Sequence, residues 1–266
     1  MRKYGQILKY EMKNIVKDKM TLMMFVYPPL MLVFSVLLIP KLLESAEGNQ
    51  TALMYGSIIS FLFFISIGTF MTGVLYAFVL LDRKDEKTIH TIAVTPLSVA
   101  GYIRFLSIYK YILTVLMNIV ILVGTKLLAS DAYSYTLGGI TVNLFGDLTY
   151  GKIMVFSFVS ALFMPAIGLF LSGLANNKIE GFAYMKMSGF LIFIPILMVF
   201  SAFEGNLQYV LGIAPNFWAI KGLYVSVIQR SESDLSFFMY MLIGALYSIL
   251  LLFPSYKFYI RRSMRT

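Results

Sequence analysis

The chain has 266 residues, of which 59% are hydrophobic, 16% aromatic and only 13% charged, with a mean hydropathy of +0.80. A soluble domain carries about 25% charged residues, so an ordinary soluble fold is excluded, and several apolar runs exceed the roughly 18–20 residues that cross a bilayer. The net charge of +9 therefore reports basic loops rather than nucleic-acid binding, and the absence of cysteine excludes disulfides and thiolate chemistry.

In residues 2–20, Tyr4, Ile7, Leu8, Met12, Ile15 and Val16 fall near one helical face, while Lys9, Lys13 and Lys17 lie mostly elsewhere. That spacing predicts a basic amphipathic helix lying in the headgroup layer; a charged flank that merely sets orientation is the alternative. No apolar core of signal-peptide length precedes the first span, so a cleavable leader is not expected. The first span is expected at about 22–40, with a kink or late start at Pro28-Pro29. The second, about 53–81, carries Ser57, Ser66, Gly68, Thr69, Thr72 and Gly73, small residues of the kind that pack helices together.

Residues 82–110 are the longest polar break inside the apolar chain, opening with six consecutive polar residues, Asp82 to Lys87. A short helical run from Thr88 to Val94 follows, stopped by Thr95-Pro96 and restarted at Ser98. Further spans are expected at about 105–129, with Asn118 its most polar interior residue, and at about 152–175 and 182–203, the last containing Lys186 and Pro195. Residues 204–234 are too polar for a crossing. They read either as two short helices dipping back into the outer leaflet, with Trp218 at the interface, or as a plain external loop. A sixth span covers about 235–259.

Six spans place both termini on one side. Of the 22 Lys and Arg, seventeen fall on that side and five (Lys41, Lys126, Lys152, Lys221 and Arg230) on the other. The positive-inside rule then makes the termini and the 82–104 loop cytoplasmic, in the cell membrane. The fold expected is an all-α membrane protein, residues 1–266 forming one transmembrane domain.

The chemistry that is missing narrows the function. There is no P-loop motif, so this chain has no such ATP site of its own, and no H-E-x-x-H or G-x-S-x-G hydrolase motif. The single histidine, His90, reads as a polar contact, since zinc needs three or four ligands. The span centres lack Asp and Glu, which argues against a self-powered carrier, although backbone carbonyls can hold sodium.

A basic amino-terminal helix, six spans, cytosolic termini and a polar segment before the last span together resemble the membrane subunit of an ABC-2 type exporter. The local pattern is carried by Glu86-Lys87-Thr88, with Lys87 where the family has glycine, then Thr95-Pro96-Leu97-Ser98, then Lys110. The resemblance implies that the 82–104 loop, with Glu86, Lys87, Thr88, His90, Thr95, Pro96, Leu97 and Ser98, forms a coupling helix docked on a separate P-loop ATPase that binds ATP and Mg. It implies also that two permease copies, identical or sister chains, assemble with two such ATPases. The chain itself would bind no cofactor and would touch lipid. Its cargo would be an amphipathic drug, lipid or peptide moved outward. Small-residue faces on the first, second or fifth spans are the expected contact between copies. A six-span autonomous carrier or channel, and a membrane-interaction protein without transport, are the alternatives.

Overall fold

The computed structural model describes residues 18–46, 48–93, 98–228 and 234–263, together with Lys13. Among the described residues six helical segments are long and apolar enough to cross a membrane: Lys19–Glu44, Gln50–Asp85, Val99–Tyr133, Tyr150–Leu174, Lys178–Val199 and Phe237–Ser263. The protein is a multi-pass, essentially all-α membrane protein.

The second span, helix α3 (Gln50–Asp85), is the axis of the bundle. In its most apolar window 78% is buried, against 22% in the first span and 28% in the fifth and sixth. At 36 residues it is about 54 Å long, well beyond a perpendicular crossing. Its small residues explain its position. A Cβ on Gly73 would lie 2.5 Å from Ile167 and 3.3 Å from the Met164 carbonyl oxygen, and one on Gly168 would lie 3.0 Å from the Gly73 carbonyl. The second and fourth spans thus meet backbone to backbone, which only small side chains allow. Ser57, Ser66, Thr69 and Thr72 are buried in the same chain, so the second span's small residues are spent on internal packing rather than left as a free face for another copy.

The first span does not start late at its prolines. Helix α1 (Lys19–Val33) runs through Pro28 and Pro29 after an amino-terminal cap in which the Asp18 carboxylate accepts from the Met20 and Thr21 amides. The irregularity comes later, as a π-helical turn over Phe34–Leu38, before α2 (Ile39–Glu44). There the Ser35 carbonyl accepts from the Tyr133 hydroxyl at 2.7 Å, and the Ser35 side chain pairs with Thr125 at 2.7 Å. A widened turn leaves a carbonyl for an outside donor, and the third span supplies one.

Helix α4 (Thr88–Ala93) is the short run after the second span, and α5 (Val99–Ala129) is the third span, capped by Ser98, whose Oγ accepts from the Gly101 amide at 3.1 Å. The connection that follows contains strands β1 (Ser134–Leu137) and β2 (Ile140–Asn143), an antiparallel hairpin the apolar pattern did not announce. Gly138 and Gly139, at φ 58° and 82°, make its two-residue turn, where left-handed backbone favours glycine. Tyr133, Tyr135, Phe145 and Leu148 are buried beneath it against Phe61 and Ile58 of the second span.

The fourth span is α6 (Tyr150–Ala161) and α7 (Phe163–Leu174), interrupted beside Pro165, which cannot donate to the Ala161 carbonyl. The fifth begins as α8 (Lys178–Ser188) and then tightens into 3₁₀ turns, Gly189–Ile192, Pro195–Val199 and Ser201–Phe203. Residues 204–234 do form two short helices, a 3₁₀ segment Gly205–Ile213 and α9 (Pro215–Val225). Phe217, Ala219, Ile220 and Leu223 of α9 pack into the main core, and Trp218 donates to the Gly212 carbonyl at 2.9 Å. The last span is α10 (Phe237–Ser263), with Arg261 and Arg262 in its final turn.

Candidate functional site

The second span ends in four charged residues, and successive helical residues point about 100° apart. Between them they reach three neighbours, Asp82 and Asp85 sharing one. Arg83 pairs with Asp18 at 3.7 Å, tying the second span to the amino-terminal cap of the first. Asp82 pairs with Lys178 at 2.5 Å, and the Asp85 carboxylate accepts from the Lys178 amide at 3.3 Å, tying it to the start of the fifth. Lys84 donates to the Ala175 carbonyl at 3.0 Å, at the end of the fourth. Arg262 of the last span donates to Asn176 at 3.2 Å in the same turn. The result is a charged collar that gathers five of the six spans at one end of the bundle.

The knob stands on that collar. Glu86 closes α3, its amide donating to the Asp82 carbonyl at 3.0 Å. Lys87 then turns the chain at φ 56°, the conformation glycine takes without a Cβ clash. Thr88 is the first residue of α4, and Glu86, Lys87 and Thr91 are exposed while Ile89 is buried. Ile89 packs on Tyr76, Leu80, Val99 and Tyr102, so α4 has one face fixed to the second and third spans and another left outward.

Of the residues singled out from the sequence, Glu86, Lys87, Thr88 and His90 come together on or beside α4, and Ser98 caps α5. Thr95, Pro96 and Leu97 lie outside the described residues, as do Lys9 and Lys17 and most of the amphipathic segment 2–20. Lys13 is helical and exposed.

Lys110, the basic residue that closes the local pattern, is fully buried, eleven residues into α5, and donates to Thr21 Oγ at 2.7 Å. Thr21 in turn donates to Asp18 at 2.9 Å. Asp18 thus links Arg83 and, through Thr21, Lys110, so the first three spans share one charge network. Sequence reasoning missed it because Asp18, Arg83 and Lys110 are far apart in the chain.

Deeper in the bundle the polar contacts are neutral. Asn118 donates to Thr69 at 2.9 Å and to Ser160 at 3.1 Å, joining spans two, three and four. At the opposite end, Lys221 pairs with Asp234 at 3.0 Å, and Asp234 also accepts from Gln208 and Tyr240. Burial holds the Lys221 ammonium below lysine's ordinary value, and Asp234 pulls it partly back. Among the described residues no three His, Cys, Asp or Glu side chains gather as a metal site.

Six apolar spans with a charged collar at one end make a polytopic membrane bundle. Residues 11–256 match the model of the Rv2686c-like family, described as fluoroquinolones export permease protein Rv2686c-like, and the chain belongs to that family of ABC-2 type permeases. Two relatives from Mycobacterium tuberculosis, the fluoroquinolones export permease proteins MT2760 (strain CDC 1551 / Oshkosh) and Rv2686c (strain H37Rv), are each 22% identical over 252 residues, covering 93% of this chain and 90% of the relative.

Proposed function

We propose that the chain is the membrane half of an ATP-driven exporter, energised through α4 by a separate P-loop ATPase that carries ATP and Mg. The observation that carries this reading is the pairing of an outward knob, Glu86 to Thr91, with a collar that ties its base to other spans. A push on α4 meets Ile89 and the Arg83 and Asp82 ion pairs at its base, so force is delivered to the first and fifth spans together. The cation count puts the knob and both termini in the cytosol. The two short helices within 204–234 then face outward and dip into the outer leaflet.

Two permease copies, the same or sister chains, would complete the pathway. The cargo is an amphipathic drug, lipid or peptide. The names of the mycobacterial relatives place a fluoroquinolone among the drugs to try first. The Asn118–Thr69–Ser160 cluster is neutral, and the buried Lys110 is tied through Thr21 to Asp18, which favours this over an autonomous carrier with an ionisable relay or ion site along its path.

The test is Glu86→Lys in membrane vesicles containing the chain with its ATPase. ATP hydrolysis should persist while ATP-driven efflux falls by about tenfold or more, the scale of losing one interfacial charge contact. Undiminished export by that variant would remove α4 from the mechanism. Transport by the purified chain in liposomes without ATP would overturn the exporter reading itself.

A further inference from the structure

The outer end of the fifth span carries an acid that the protein does not use. Glu204 follows the Ser201–Phe203 turn in an extended conformation and precedes Gly205, which at φ 63° turns the chain into the next helix. The shorter side chains of Asp, Asn, Ser or Thr at such a position ordinarily cap the helix that follows. Glu204 makes no capping bond, and it has no ion pair or side-chain hydrogen bond among the described residues. Glu204 lines a half-enclosed cavity of about 310 Å³ between the second and fifth spans, together with Tyr55, Ile59, Val199, Phe200 and Ser201.

Three features fix the chemistry of an occupant. First, three of the five cations on this side are committed elsewhere: Lys126 donates to the Phe145 and Gly146 carbonyls, Lys152 to the Ser226 carbonyl, and Lys221 to Asp234. Second, the aromatic surface is presented rather than packed, with Tyr55 45% and Phe200 55% exposed. Third, one carboxylate is too few oxygens for calcium or magnesium, which take six or more. A carboxylate beside open aromatic faces suits a single diffuse positive charge on an apolar body. The volume matches the lower end of drug-sized pockets, about 300 Å³.

We propose that this cavity binds organic cations with an apolar body, as an outward-facing site on the export path, with Glu204 supplying the countercharge and Tyr55 and Phe200 the aromatic contact. The proposal rests on the permease reading and names a substrate class for it. The site is built by this chain alone, so it can be tested without the ATPase.

The experiment is equilibrium binding of radiolabelled tetraphenylphosphonium to the purified full chain in detergent, with tetraphenylborate, of similar size and opposite charge, as competitor. Saturable binding of the cation is expected, with about tenfold weaker binding in Glu204→Gln, the scale of one charge contact. Phe200→Leu, which keeps bulk and loses the ring, should weaken it also, whereas Glu44→Gln, at another exposed acid on this side, should not. Equal binding by wild type and Glu204→Gln, or equal displacement by the borate anion, would overturn the proposal. Because no nucleotide is present, that failure would leave ATP-driven export untouched. A failure of export, conversely, would leave the binding result standing.

Discussion

Lys87 holds its backbone at φ 56°, in the left-handed region where a side chain with a Cβ costs about 1–2 kcal/mol. The turn is needed because α3 must end and α4 must start across it with Ile89 pointing inward. Replacing Lys87 by glycine removes the clash but adds freedom to the unfolded chain, worth about 0.4–1 kcal/mol in the other direction. The net expectation is a neutral to slightly stabilised protein, whereas Lys87→Val, β-branched at the same angle, should fall below the lysine protein, because branching at Cβ adds to a cost the lysine already carries. Thermal unfolding of the purified chain reads both; a valine variant as stable as the glycine one would show that the turn relaxes freely. This site was half legible. The pattern Glu86-Lys87-Thr88 marked a glycine position filled by lysine, but the angle that makes glycine apt appears only in the fold. Lys110 was less legible, because a lysine looks the same in sequence whether its ammonium reaches water or Thr21.

At the scale of elements, the six apolar runs were readable because a membrane demands length and hydrophobicity, and both are properties of composition. Which helices touch was only partly readable. The small residues of the second span marked it as a packing surface, and it meets the fourth through Gly73 and Gly168. Gly168→Ala should cost about 1–3 kcal/mol, since its Cβ would meet the Gly73 carbonyl at 3.0 Å and the Tyr76 ring at 2.5 Å. Gly151→Ala, with no atom within 4 Å of its Cβ, is the matched control and should be nearly neutral. Equal melting temperatures for the two would refute the close-packed contact. The first span shows the limit of local rules. Proline predicts a lost hydrogen bond at Pro28 and Pro29, yet the visible irregularity is at Phe34–Leu38, where Tyr133 of a distant segment takes up the Ser35 carbonyl. A tertiary partner, invisible to local pattern, decides where the helix gives.

The whole molecule leaves its first and fifth spans largely uncovered. Leu30, Val33 and Leu37 on one, and Phe190 and Phe193 on the other, are exposed, and large side chains rather than small ones make up these faces. Lipid covers such surfaces as readily as protein does, since neither gains a hydrophobic advantage in the bilayer. A second permease copy should nevertheless lie along part of them if two half-transporters assemble. The cysteine-free background suits the test. Val33→Cys or Phe190→Cys should give an oxidised, covalently linked dimer in native membranes, and monomers at every position along both spans would defeat the paired arrangement. The collar at Asp82, Arg83 and Asp85 connects the same two spans to the knob, so the surfaces predicted to meet a partner are those the ATPase would move.

The fifth span is wound more tightly and drawn out longer than an ordinary helix over Gly189–Val199. A 3₁₀ turn rises about 2.0 Å per residue against 1.5 Å in an α-helix, and turns about 120° against 100°. Rewinding these eleven residues as α-helix would shorten the segment by about 5 Å and swing its outer end through roughly 200°. Phe200 and Glu204 ride on that end, so a change of pitch alone would retract them and turn them away from the second span. The fifth span is in this sense a screw, and its thread is a way to load and empty a pocket without moving the helix that forms its other wall.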